Sequence, residues 1–189
     1  MAFIHIMEYA RGIGNAHAKE LFDILSSAGH GDIIKGLLHP DKKSAKLAPK
    51  KQNYQLGLFD DFSEFMPSNR FASLGFDDEF MASPALNYSN LNQNGAIFLF
   101  ELRNLIYTID NELNSSKIIS SIMQSKIYNI IVDNLATKRA TLRNGNIDSE
   151  LKCSAIERIM AKARVLLEIS KRHSSIDNFY NFLTLGKSE

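Results

Sequence analysis

From residue 94 to residue 185, apolar side chains return every three or four positions almost without interruption. Phe98, Leu102, Leu105, Ile106, Ile109 and Leu113 line one helical face. Ile119, Ile122, Met123, Ile127, Ile130, Ile131 and Leu135 line a second. After Asn144-Gly145-Asn146, a strong turn signal, Ile156, Ile159, Met160, Ala163, Leu166 and Leu167 line a third. Ser174-Ser175-Ile176-Asp177 can cap a short last helix that carries Phe179, Tyr180, Phe182 and Leu183 and closes at Gly186. Three long amphipathic helices with short connections predict an antiparallel helical bundle over residues 96–189. This half is expected to supply most of the stability.

Upstream the pattern is shorter. Phe3, Ile4, Ile6, Met7 and Ala10 form a stripe that stops at Gly12-Ile13-Gly14. Ala16, Ala18, Leu21, Phe22 and Leu25 then resume at helical spacing, so residues 1–41 read as a small segment of two or three helices. Between the two lies a stretch of a different kind. Residues 42–95 hold Pro49, Pro67 and Pro84, three of the four prolines, and alternate phenylalanines with acids. They read as a long irregular linker, acidic and phenylalanine-rich. The fold class expected is therefore mainly α, in three parts: 1–41, 42–95 and 96–189.

Charge sharpens that division. The formal net charge is only +1, but residues 41–51 sum to +4, residues 52–96 to −5 and residues 97–189 to +3. A basic block beside an acidic one suits a linker that meets partners, and mutual neutralisation is the other reading. The first residues lack a basic start and soon reach Glu8 and Arg11, so no signal peptide is expected. No apolar run is long enough to cross a bilayer, and Cys153 is the one cysteine. Together these features predict a cytoplasmic protein that does not enter a membrane.

The linker carries a repeated pattern. Its first copy reads Gln55-Leu56-Gly57-Leu58-Phe59-Asp60-Asp61, then Glu64-Phe65-Met66. A degraded copy follows as Leu74-Gly75-Phe76-Asp77-Asp78-Glu79-Phe80-Met81. Gln55-Leu56-Gly57-Leu58-Phe59 resembles the short peptide by which bacterial polymerases and repair proteins dock on the β sliding clamp. That resemblance implies that Gln55, Leu56, Leu58 and Phe59 fill a hydrophobic pocket on the clamp. Leu74, Phe76 and Phe80 are the anchors of a candidate second copy. Such a peptide must be exposed and extended, with anchors outside the protein's own core. The alternative is that these phenylalanines pack back onto the folded part as a structured loop.

Residues 6–25 carry another resemblance. Gly12-Ile13-Gly14, then Ala18 and Leu21, are similar to the helix-hairpin-helix motif of proteins that bind DNA without reading sequence. The resemblance implies backbone N–H groups held close to a phosphate at the start of a helix. Arg11, Gly12, Gly14, Asn15, Lys19, Lys42 and Lys43 are the candidate duplex-DNA contacts. Arg11 stands where that motif usually has proline. His39-Pro40-Asp41 resembles the tripeptide of J-domain cochaperones, which stimulate an Hsp70 ATPase. His39 as a loop residue, with Pro40 ending the helix, is the competing reading.

Catalytic constellations are not expected. His5, His17, His30, His39 and His173 show no metal-ligand spacing, and there is no phosphate loop, dinucleotide fingerprint or nucleophile elbow. Neither metal, cofactor nor small-molecule substrate is predicted, and the chain reads as an interaction protein rather than an enzyme. The expected function is to bind the sliding clamp and to recruit to, or inhibit, DNA replication or repair. A second class is a helical adaptor or secreted effector whose Phe/Asp-rich loop binds another protein. For that class Phe76-Asp77-Asp78-Glu79-Phe80 resembles a Phe-x-Asp-x-Phe pattern read by some eukaryotic endocytic adaptors. A divergent J-domain cochaperone is the third.

Overall fold

A computed structural model describes residues 2–40 and 69–185, and the protein is mainly helical. The described residues form nine α-helices and two short 3-10 turns. The chain divides into two compact units, Met1–Arg103 and Asn104–Glu189.

The N-terminal unit begins with α1 (Ala2–Met7), α2 (Asn15–Ala28) and α3 (Ile33–Leu38). Asp32 starts α3 by accepting the amides of Ile34 and Lys35 at 2.9 and 3.2 Å, which satisfies two N–H groups that have no partner inside the helix. Helices α2 and α3 pack on each other through two glycines. A Cβ on Gly36 would sit 1.8 Å from the Leu25 carbonyl oxygen, and one on Gly29 would sit 2.5 Å from the Gly36 nitrogen. Only hydrogen fits at these positions, so the backbones can approach closely enough to bury Leu25, Leu37 and Leu38.

After the undescribed stretch the chain resumes with a 3-10 turn (Asn69–Leu74), α4 (Asp78–Met81) and a second 3-10 turn (Pro84–Asn87). Where the sequence pattern placed residues 69–95 in the linker, the structure packs them into this unit. Phe71, Phe80, Ala85, Leu86, Tyr88 and Leu91 are all buried. The Pro84–Asn87 turn lies against α2. Arg70 fastens the region by donating to the carbonyls of Leu86 at 3.2 Å, Ser89 at 3.0 Å and Tyr88.

Helix α5 (Gln93–Ile109) begins in this unit. Its apolar stripe was expected to found the C-terminal bundle. Instead Phe98, Leu99 and Leu102 are buried within the unit that ends at Arg103.

The C-terminal unit holds α6 (Ser115–Gln124), α7 (Lys126–Ala140), α8 (Ser149–Ser170) and α9 (Ile176–Leu185). The single long helix expected over 119–135 is two, because Ser125 leaves the helical region at φ −72°, ψ 151°. Its hydroxyl donates to the Ile122 carbonyl at 2.6 Å and accepts the Tyr128 amide at 3.2 Å, ending one helix and starting the next. Helix α7 packs on α8, and α6 contacts α7, α8 and α9. Val132, Ala136 and Ala140 recur every fourth residue on the buried side of α7, with Ala155 buried on α8. Asp148 caps α8 through the amides of Glu150 and Leu151, both at 3.0 Å. Ser115 pins the α8–α9 corner, its one hydroxyl proton shared between the carbonyls of Ser170 at 2.7 Å and His173 at 2.8 Å.

Candidate functional site

The first copy of the repeated pattern, with Gln55, Leu56, Leu58 and Phe59, lies outside the described residues, as do Lys42 and Lys43. The second copy can be followed atom by atom. Asp77 caps α4, accepting the Phe80 amide at 2.8 Å. That turn places Phe76 and Phe80 on one side, where they meet edge-to-face with centroids 5.0 Å apart. Both rings also lie against Phe100, at 4.8 and 5.1 Å. Phe80 is 1% exposed, while Phe76 and Leu74 are half-buried.

Two acids of this copy, Asp77 and Glu79, are also engaged. Arg103, itself 3% exposed, donates to Asp77 Oδ2 at 2.8 Å and to Glu79 Oε2 at 2.5 Å. Its guanidinium lies 5.8 Å from the centre of the Phe80 ring. His39 Nδ1 stands 3.4 Å from Glu79 Oε1. Burial pushes the Asp77 carboxyl up; the Phe80 amide and then Arg103 more than offset this, and the group ends below its ordinary value. A buried arginine needs such partners, because an unpaired guanidinium out of water is costly. Phe76 and Phe80 therefore pack with Phe100 inside this unit, and Phe80, being buried, is covered by the chain itself. The correction has a plain cause. An acid-rich phenylalanine segment dissolves well, but here a buried cation and an aromatic bed absorb both halves of it.

His39, Pro40, Asp78, Glu79 and Ala82 line a shallow cleft of about 350 Å³ beside this network. His39 is the C-cap of α3, its amide bonded to the Lys35 carbonyl at 2.8 Å. Helix α3 before it has six residues.

In the N-terminal segment α1 and α2 are joined through the two glycines. Gly12 has φ +84°, in the left-handed region, and Gly14 is the N-cap of α2. Ile13 between them is buried, and Ala18 and Leu21 face the interior. The open side of Gly12 is filled from within the chain, however. A Cβ there would lie 2.3 Å from the Asn92 amide nitrogen, which donates to the Arg11 carbonyl at 3.0 Å. Asn92 also caps α5, accepting the Gly95 amide at 2.7 Å. The Gly12 conformation thus serves a tie between the hairpin and α5, which the motif alone did not suggest. Nothing lies within 4 Å of the Cβ position at Gly14. Arg11, Asn15 and Lys19 are exposed, and Asn15 donates to Glu8 at 2.8 Å.

Two polar constellations were missed from the sequence. Arg103 sits beside Leu99 and Leu102 on an apolar stripe, which is in itself a signal that it is covered. His17 and Tyr88 meet at 2.7 Å from Nδ1 to the hydroxyl, across 71 residues of chain. Burial raises the Tyr88 phenol, and the Glu20 carboxylate it bonds raises it further.

Among the described residues no group of three or more His, Cys, Asp or Glu side chains is placed to hold a metal ion. No described helix is long and apolar enough to cross a membrane. No family model matches the chain, and neither a curated protein nor a solved structure is significantly similar to it.

Proposed function

We propose that this chain is an interaction protein that binds the bacterial β sliding clamp through residues 55–59, recruiting to or inhibiting DNA replication or repair. The observation that carries the reading is the peptide itself. Gln55, Leu56, Leu58 and Phe59 stand in the order and spacing of a clamp-docking motif, between Pro49 and Pro67. The second copy lacks the glutamine and has Phe76, Phe80, Asp77 and Glu79 engaged within the N-terminal unit, so docking rests on the first copy alone. In this reading the α6–α9 unit is an antiparallel bundle that presents a second surface or blocks access to the clamp. The protein acts by occupying a pocket, not by catalysis, and works in the cytoplasm.

The test separates docking from folding. Gln55→Ala, Leu58→Ala and Phe59→Ala together should abolish capture by purified clamp while the helical circular dichroism and melting temperature stay unchanged. A marked drop in melting temperature would place these side chains in the core and end the proposal.

A second reading, weak duplex-DNA contact by the N-terminal hairpin, is favoured by the open Gly14 at the start of α2. Arg11 and Lys19 are its exposed cations. Lys42 and Lys43 would extend it. Binding would ignore sequence and weaken steeply as salt rises. Absence of a low-salt mobility shift, or a shift that survives Arg11→Ala with Lys19→Ala, removes it.

A further inference from the structure

Asn-Gly occurs twice in the chain, at Asn94-Gly95 and at Asn144-Gly145, and the structure treats the two pairs differently. We propose that Asn144 is a site of spontaneous deamidation, in the exposed turn between α7 and α8. The Gly145 nitrogen bonds to Asn144 Cγ and loses its proton, and the side-chain nitrogen takes up a proton and leaves as ammonia. The product is a succinimide ring. Water then adds to either ring carbonyl and opens it, leaving aspartate or its β-linked isomer. No electron is gained or lost, and water is the sole co-reactant.

The turn is arranged for the first step. Attack at Cγ places negative charge on Asn144 Oδ1, and the Asn146 amide already donates to that oxygen at 3.0 Å. A donor fixed where charge develops lowers the barrier, as in any oxyanion site. Gly145, at φ +83°, has nothing within 4 Å of its Cβ position, so the residue that supplies the attacking nitrogen is uncrowded on that side. Asn144, Gly145 and Asn146 are all exposed to the water that finishes the reaction.

Asn94 has the same neighbour and the opposite setting. It lies in the first turn of α5, and Gly95 is buried. A Cβ on Gly95 would meet Ile13 Cδ1 at 2.8 Å and Leu91 Cδ1 at 2.9 Å, so the backbone rotation that ring closure requires runs into the core. Both glycine amides are hydrogen-bonded, Gly145 to the Leu142 carbonyl at 2.9 Å and Gly95 to Asn92 Oδ1 at 2.7 Å. That brake acts on both sites and does not separate them.

The modification has a structural consequence. A β-linkage inserts an extra backbone carbon into a turn closed by the Leu142 amide on the Asn146 carbonyl at 2.8 Å and by the Thr141–Ile147 bridge. It also places a carboxylate next to Arg143 in sequence. The joint between α7 and α8 therefore loosens as the protein ages.

The experiment incubates the full-length chain in warm, mildly alkaline buffer and follows both sites by peptide mass mapping, resolving the β-linked isomer. Native protein should convert Asn144 at least about tenfold faster than Asn94, the scale of one hydrogen bond in a barrier. In concentrated urea the two rates should converge, because the dipeptides are the same once the fold is gone. Asn144→Gln should leave the Asn94 rate as it was. Equal rates in the native protein overturn the proposal. So does a preference for Asn144 that persists in urea, since flanking sequence and not the turn would then set it.

Discussion

The N-terminal unit closes over more than half of its described large apolar side chains, whereas the C-terminal unit leaves most of its own half-covered or exposed. Met7, Leu21, Leu25, Leu37, Phe80, Phe98 and Leu99 are each 2% exposed or less. In the C-terminal unit Ile122, Met123, Ile131, Leu135, Ile159 and Leu166 are only half-buried; Ile118, Ile127 and Phe179 are its large buried side chains, beside the smaller Val132, Ala136, Ala140 and Ala155. The sequence pattern pointed the other way, because the long stripes belong to the C-terminal half. The difference teaches that a helical period reports a preferred face, not how completely that face is covered. Closure in the N-terminal unit comes from pieces with no period at all: a 3-10 turn, a four-residue helix and a proline-led turn laid over α2 and α5.

The widest test of this contrast is truncation of one large side chain in each unit. Phe80→Ala should cost about 3–5 kcal/mol, the range for a buried aromatic that leaves a cavity. Leu166→Ala should cost about 1–2 kcal/mol, because a half-buried leucine loses less area and its site is already open to water. Urea unfolding of the full chain, with hydrogen exchange to assign each loss to a unit, measures both. Equal costs would erase the contrast.

Acid probes the same unit through its polar seam. The Asp77 carboxyl lies below its ordinary value in the folded chain, so its contribution is present above the unfolded carboxylate pKa of about 3.9 and is lost as pH falls through the folded one. Protection of α2 and α5 amides should therefore weaken below about pH 4, and Asp77→Asn should flatten that dependence. Because Asp77 is about half exposed, solvent screening keeps the effect smaller than the loss of Phe80. An unchanged acid profile in the Asp77→Asn protein would show that the Arg103 contact carries no linkage.

The smallest expected effect concerns the break between α6 and α7. Ser125→Ala removes one N-cap and should cost about 1 kcal/mol, with faster exchange confined to the first turn of α7. Faster exchange throughout the C-terminal unit would mean that the cap also sets helix packing there.

Local signals carried much of the architecture. The Asn144-Gly145-Asn146 turn, the start of α8, the helix after Ser175 and the glycine hairpin at residues 12–14 all follow from residues a few positions apart. The break at Ser125 was hidden because apolar residues continue at helical spacing from Met123 to Ile127 across it. At the repeated pattern, the two copies look alike as strings. The structure assigns the second to the N-terminal unit because Phe100 and Arg103, 20 or more residues downstream of Phe76 and Phe80, supply its apolar bed and its countercharge.

The sequence alone thus determined that this chain is helical and where several helices begin and end, because period, caps and turn residues act over a single turn of backbone. Only the tertiary structure decided which phenylalanines are covered, why Gly36 and Gly12 must be glycine, and that Arg103 is buried with two carboxylates. Each of those depends on desolvation by residues far along the chain. No pattern within one turn encodes which distant surface will exclude the water.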